Sequence, residues 1–109
     1  MLTISANTRL FFCQTPVKMH KSFEGLSAIV EKMFPGELLS GAFFIFLNRT
    51  RTHIKVLYWD GDGLVIFYKR LEKGSFVTKN NSSSTLLRRE FLMLLEGISS
   101  KHLQPRFSL

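Results

Sequence analysis

Ala42-Phe43-Phe44-Ile45-Phe46-Leu47-Asn48 is the stretch that decides the fold. Side chains alternate along a strand, so Phe43, Ile45 and Leu47 share one face while Phe44 and Phe46 share the other. A strand apolar on both faces has to run inside a sheet and be covered twice, by helices or by a partner chain. Toward the C-terminus, Asn48–Arg51 reads as a turn and Thr52–Trp59 as the next strand. Asp60-Gly61-Asp62-Gly63 is a dense turn signal, and Leu64–Leu71 is the strand returning from it. Turns this short predict an antiparallel meander. After Lys73–Gly74, a short strand is expected around Ser75–Val77.

Toward the N-terminus, Pro35–Gly36 stops a helix expected over Ser22–Phe34. Phe23, Leu26, Val30 and Met33 recur on one face of a 3.6-residue period. Ser22 stands at the N-cap, and Glu24 in the first turn suits the helix dipole. Thr8–Thr15 reads as a short strand between Asn7 and Pro16. Beyond the meander, the polar run Thr78–Thr85 reads as a loop. A second helix is expected over Leu86–Glu96, with Leu87, Phe91, Leu94, Leu95 and Ile98 on one face. Thr85 or Ser84 caps its start, and Gly97 suits its C-terminal cap. The fold class expected is α+β, in the order β-α-β-β-β-(β)-α. Its antiparallel β-meander has about four to five strands packed with two helices. A single domain spans residues 1–98, and residues 99–109 form a loosely ordered tail.

The 109 residues suit one domain, and an apolar fraction of 45% excludes a disordered polar chain. A single cysteine, Cys13, excludes an intramolecular disulfide framework. His20, His53 and His102 lie apart with no ligand spacing, so neither metal nor cofactor is expected. Catalytic serine motifs, glycine-rich phosphate loops and zinc spacings are absent. The longest apolar stretch, Leu38–Leu47, falls well short of the roughly 20 residues of a membrane span. With no leader pattern at Met1–Leu10, the expectation is a soluble cytoplasmic protein without membrane contact.

The formal net charge is +7, and +6 of it falls in residues 49–109. That balance points to a polyanion partner. Arg49, Arg51, His53 and Lys55 are spaced by two, so a strand running through all four would gather them on one face. Lys69 and Arg70 on the returning strand would add to the field, as would Lys73. Such an array suits nucleic-acid phosphates, because each phosphate neutralised releases a counterion. The competing reading is a solvated face that keeps a sheet edge from aggregating.

Trp59, Asp60, Gly61, Asp62 and Gly63 invite a second reading. Two carboxylates two residues apart could open a calcium loop, but position 12 counted from Asp60 is Leu71 rather than a bidentate Glu. They could also belong to a two-metal nuclease site, which needs further carboxylates. Turn chemistry accounts for every residue here: Asp bonds the local backbone and Gly takes positive φ. Trp59 then serves as a core or platform aromatic.

The longest run from Ser40 to Asn48-Arg49, then Ile54-Lys55-Val56-Leu57-Tyr58-Trp59-Asp60-Gly61-Asp62-Gly63 and Phe67-Tyr68-Lys69-Arg70-Leu71-Glu72-Lys73-Gly74-Ser75-Phe76, closely resembles one family. It is the accessory protein called TnpB, or second open reading frame, of the IS-sixty-six type bacterial insertion sequences. Lys21-Ser22-Phe23-Glu24-Gly25-Leu26 is similar to that family's helix start, and Leu94-Leu95-Glu96-Gly97-Ile98 to its C-terminal signature. The family's usual Asp-Met-Arg-Lys run before the helix reads Lys18-Met19-His20-Lys21 here. The resemblance implies a non-catalytic accessory role in DNA transposition, beside a separate transposase. It implies element-end DNA, the transposase, or both as partners, and it carries no catalytic residue. Apolar surplus in Phe43–Leu47 and at Leu92 and Met93 adds the expectation of a partner chain, a second copy included. The alternatives are a metal-dependent nuclease using Asp60 and Asp62, and a purely protein-binding scaffold.

Overall fold

The computed structural model describes residues 4–76 and 91–93. Its elements are β1 (Leu10–Phe12), α1 (Phe23–Met33), β2 (Phe43–Leu47), β3 (His53–Trp59) and β4 (Leu64–Arg70). Residues 91–93 are helical and fall inside the expected second helix. The rest of that helix, the 78–85 loop and the 99–109 tail lie outside the described residues.

The four strands lie in the order β1-β2-β3-β4. The meander holds for β2, β3 and β4, which pair antiparallel. It does not extend to β1, which pairs parallel with β2 through Leu10↔Phe43 and Phe12↔Ile45. The sheet is therefore mixed. The reason is the connection: α1 carries the chain back to the end where β1 began, so β2 must run in the same direction. The expected strand around Ser75–Val77 is also absent from the described residues, where Ser75 and Phe76 are irregular. Phe76 instead donates its N–H to the Arg51 carbonyl at 2.6 Å and is fully buried.

All five residues of β2 are buried, as a strand apolar on both faces requires. Phe44 and Phe46 pack with Leu57, Leu26 and Val30 on the helix side. Phe43, Ile45 and Leu47 pack with Ile54, Val56, Phe76 and Phe91 on the other. Only the middle of the predicted α1 stripe is buried: Leu26 and Val30 are covered, whereas Phe23 and Met33 at its ends are 43% and 41% exposed. Packing is concentrated at the helix centre, which leaves both ends of the stripe at the surface. Ser22 occupies the N-cap without a side-chain cap bond. The helix closes where Phe34 donates its N–H to the Val30 carbonyl at 2.7 Å.

The β3–β4 turn is closed by Asp60 N–H donating to the Gly63 carbonyl at 2.8 Å. Gly61 takes φ +94°, but Gly63 does not adopt positive φ, so only one of the two glycines is conformationally required. Gly61→Val should therefore lower stability by about 1 kcal/mol or more. Gly63→Ala, with open space around its Cβ position, should change it by less than about 0.5 kcal/mol. Urea unfolding of the two variants checks this contrast.

Candidate nucleic-acid interface

Asn48 organises the β2–β3 turn. Its Oδ1 accepts the N–H groups of Thr52 at 2.9 Å and His53 at 3.0 Å. Its Nδ2 donates to the hydroxyls of Thr50 and Thr52 at 3.2 and 3.1 Å. Arg51, at φ +58°, completes the turn and donates its N–H to the Asn48 carbonyl at 3.1 Å. Arg49 and Arg51 are held exposed at its tip.

This turn replaces the continuous strand on which the basic stripe depended. β3 begins only at His53, so Arg49 and Arg51 do not follow its alternation. Lys55 does, but it points into the core side of the sheet and is 7% exposed. Its Nζ donates to the carbonyls of Met19 at 2.7 Å and Lys21 at 2.9 Å. The ammonium also sits 4.5 Å from the centroid of the Tyr68 ring. Burial pushes the Lys55 pKa below the usual lysine value. Lys55 is thus a tether between the sheet and the segment preceding α1, with its charge spent inside the protein.

The returning strand divides its two cations. Arg70 lies opposite His53, on the helix face, while Lys69 lies opposite Ile54 on the other face. Arg70 also pairs with exposed Glu72 at 3.1 Å.

What gathers charge instead is a segment that the periodicity did not single out. Beyond β1 the chain continues along β2, with Cys13 N–H bonded to the Ile45 carbonyl and Val17 N–H to the Leu47 carbonyl, both at 2.9 Å. This sets residues 13–21 beside the 48–51 turn. Three adjoining clefts result. One of about 220 Å³ is flanked by Arg49 and Arg51. One of about 450 Å³ is flanked by Lys18, Arg49, Thr50 and His53. The third, about 610 Å³, is flanked by Lys18, His20, Lys21 and Lys32. Among the described residues, no carboxylate lines any of the three.

Lys18, His20, Lys21 and Lys32 were therefore missed by a reading that placed the cationic surface in residues 49–109. The only pointer in the sequence was indirect: a helix joining two strands, which favours parallel neighbours and puts the end of the first beside the end of the second.

Among the described residues, the carboxylates lie elsewhere. Asp60 and Asp62 are exposed in the turn at the opposite end of the β3–β4 hairpin. Glu37 pairs with Arg9. Among the described residues no group of three or more His, Cys, Asp or Glu is placed to hold a metal ion. Trp59 is half-buried on β3 opposite Leu64. Also among the described residues, no helix is long and apolar enough to cross a membrane.

Known proteins place this architecture. The uncharacterized protein y4hO of Sinorhizobium fredii (strain NBRC 101917 / NGR234) is 29% identical over 106 residues, covering 95% of this chain and 92% of that protein. The uncharacterized protein y4jC of the same strain is 26% identical over 100 residues, covering 90% and 86%. No solved structure matches. The family described as IS66 Orf2 like protein matches residues 8–105, which takes in every strand and helix described above. The chain belongs to the IS66 Orf2-like family, the TnpB accessory proteins of IS66-type insertion sequences.

Proposed function

We propose that this protein is a non-catalytic, cytoplasmic accessory factor of transposition that binds the DNA of its element through the end of the sheet bearing the β2–β3 turn, and works there beside the transposase. The observation that carries the reading is the pair of clefts beside that turn, flanked by Lys18, Arg49 and Arg51 and lined, among the described residues, by no carboxylate. A surface of one sign concentrates polyanions, and phosphate contacts then supply affinity by counterion release. The ordered 48–51 turn favours this, because Arg49 is presented on a backbone already fixed by Asn48. Exposed Asp60 and Asp62, standing apart at the other end of the hairpin, support leaving strand cleavage to the transposase.

The test is binding of the full chain to duplex DNA from an element end, titrated against salt. Lys18→Gln and Arg49→Gln combined should weaken binding about equally on end and scrambled duplexes. The slope of log K against log salt should flatten by up to about 1.8, at about 0.9 per phosphate contact. An unchanged affinity and slope would overturn the reading. A wild-type chain that binds no duplex but retains the transposase would favour the protein-binding scaffold.

A further inference from the structure

The largest of the three clefts differs from its neighbours in what lies at its bottom. Val17, Ile29, Met33 and Cys13 form an apolar floor between the 13–21 segment and α1. Lys18, His20, Lys21 and Lys32 stand around it. Met33 belongs to the apolar stripe of α1, yet it is 41% exposed here, with its sulfur 3.7 Å from the buried Cys13 thiol. The clefts around Arg49 share Cys13 and Val17 with it and have apolar lining from Phe12, Leu47 and Met19, but they lack Ile29 and Met33 and carry Gln14, Asn48, Thr50 and His53.

We propose that this cleft is a docking site for an acidic segment of a partner protein that carries a large apolar side chain. The chemistry requires both parts. A phosphodiester strand could satisfy the cationic rim, but it would leave the Met33 and Ile29 surface in water. A purely apolar segment would bury that surface and leave the rim without countercharge. A segment with Asp or Glu flanking one Leu, Phe or Trp meets both, its anchor desolvated at the centre and its carboxylates at the rim. Methionine suits the floor of such a site, because its flexible thioether adapts to different anchors. The volume of about 610 Å³ lies within the range of pockets that enclose a compact ligand group. The inference rests on the reading that this protein works beside a partner protein, and not on its contact with DNA.

The experiment selects a random peptide library on the full chain, then measures binding of a synthetic peptide of the enriched sequence. Enriched peptides should carry a large apolar residue flanked by carboxylates. Met33→Ser should weaken the synthetic peptide by about tenfold, and raising salt should weaken it further. Because Met33→Ser leaves the net charge unchanged, affinity for duplex DNA should stay within about twofold. No enrichment, or an enriched peptide indifferent to Met33→Ser, would overturn the proposal. Equal weakening of DNA binding by Met33→Ser would also overturn it, assigning the cleft to nucleic acid. Co-purification with the transposase tests the underlying reading separately. If the wild-type chain fails to retain transposase, the partner reading falls while the peptide result still judges the cleft. If transposase is retained equally by Met33→Ser, the cleft is not where it docks.

Discussion

Lys55→Met should destabilise the protein by about 2–4 kcal/mol in urea unfolding. The ammonium donates to two carbonyls, those of Met19 and Lys21, and each bond to a charged group contributes about 1.5–3 kcal/mol. Methionine retains most of the stem packing but supplies no donor. The two carbonyls lose their charged partner and the Tyr68 ring loses its cation. Removing a charge from a buried site returns part of this cost, because burial already disfavours the ammonium. That keeps the expected loss below the sum of the two bonds. The same variant separates a tether from a phosphate contact. If Lys55 only holds the segment before α1, folded Lys55→Met should bind duplex DNA with the wild-type salt slope. A slope flattened by about 0.9, with stability unchanged, would return Lys55 to the DNA-binding surface.

Phe44→Ala should be the most damaging single change, at about 3–5 kcal/mol. Phe44 is 1% exposed at the centre of β2. Its ring stacks on Phe11 at 5.6 Å and lies 5.8 Å from Phe34, while Phe11 and Phe34 are 4.8 Å apart. These three rings join β1, β2 and the residue that closes α1, so no single element can move to fill the space left by truncation. Aromatic pairing adds to the area lost. Against a typical domain stability of about 5–15 kcal/mol, such a loss is a large share of the total. Phe23→Ala, at the exposed start of the same helix, should cost less than about 1 kcal/mol. Equal effects of the two substitutions would show that the layer beneath α1 is not the core.

The two variants also mark where sequence and structure part. That Phe44 would be buried was legible in the sequence. Five consecutive apolar residues in one strand leave no face for water, whatever the topology, and β2 is indeed buried throughout. The antiparallel pairing of β2 with β3, and of β3 with β4, followed equally from local chemistry, since short turns allow the chain only one way back. The family was legible too, in motifs that lie mostly on β2, β3 and β4, and its match spans residues 8–105. Alternation along β3 correctly put Lys55 on one face with His53, but alternation says nothing about what covers that face. Met19 and Lys21 do so from 36 and 34 residues away, and only that contact turns a candidate surface cation into a buried one.

The cationic clefts were decided in the same way. Lys18, Lys21 and Lys32 come from the N-terminal part of the chain, Arg49 and Arg51 from the β2–β3 turn, and no period links them. They meet because β1 runs parallel to β2, so that the segment leaving β1 lies against the end of β2. Backbone alternation, turn chemistry and apolar runs act between residues close in the chain, and those the sequence by itself determined. Which charges remain in water, and which of them gather, depends on contacts between distant segments, and that only the tertiary structure decided.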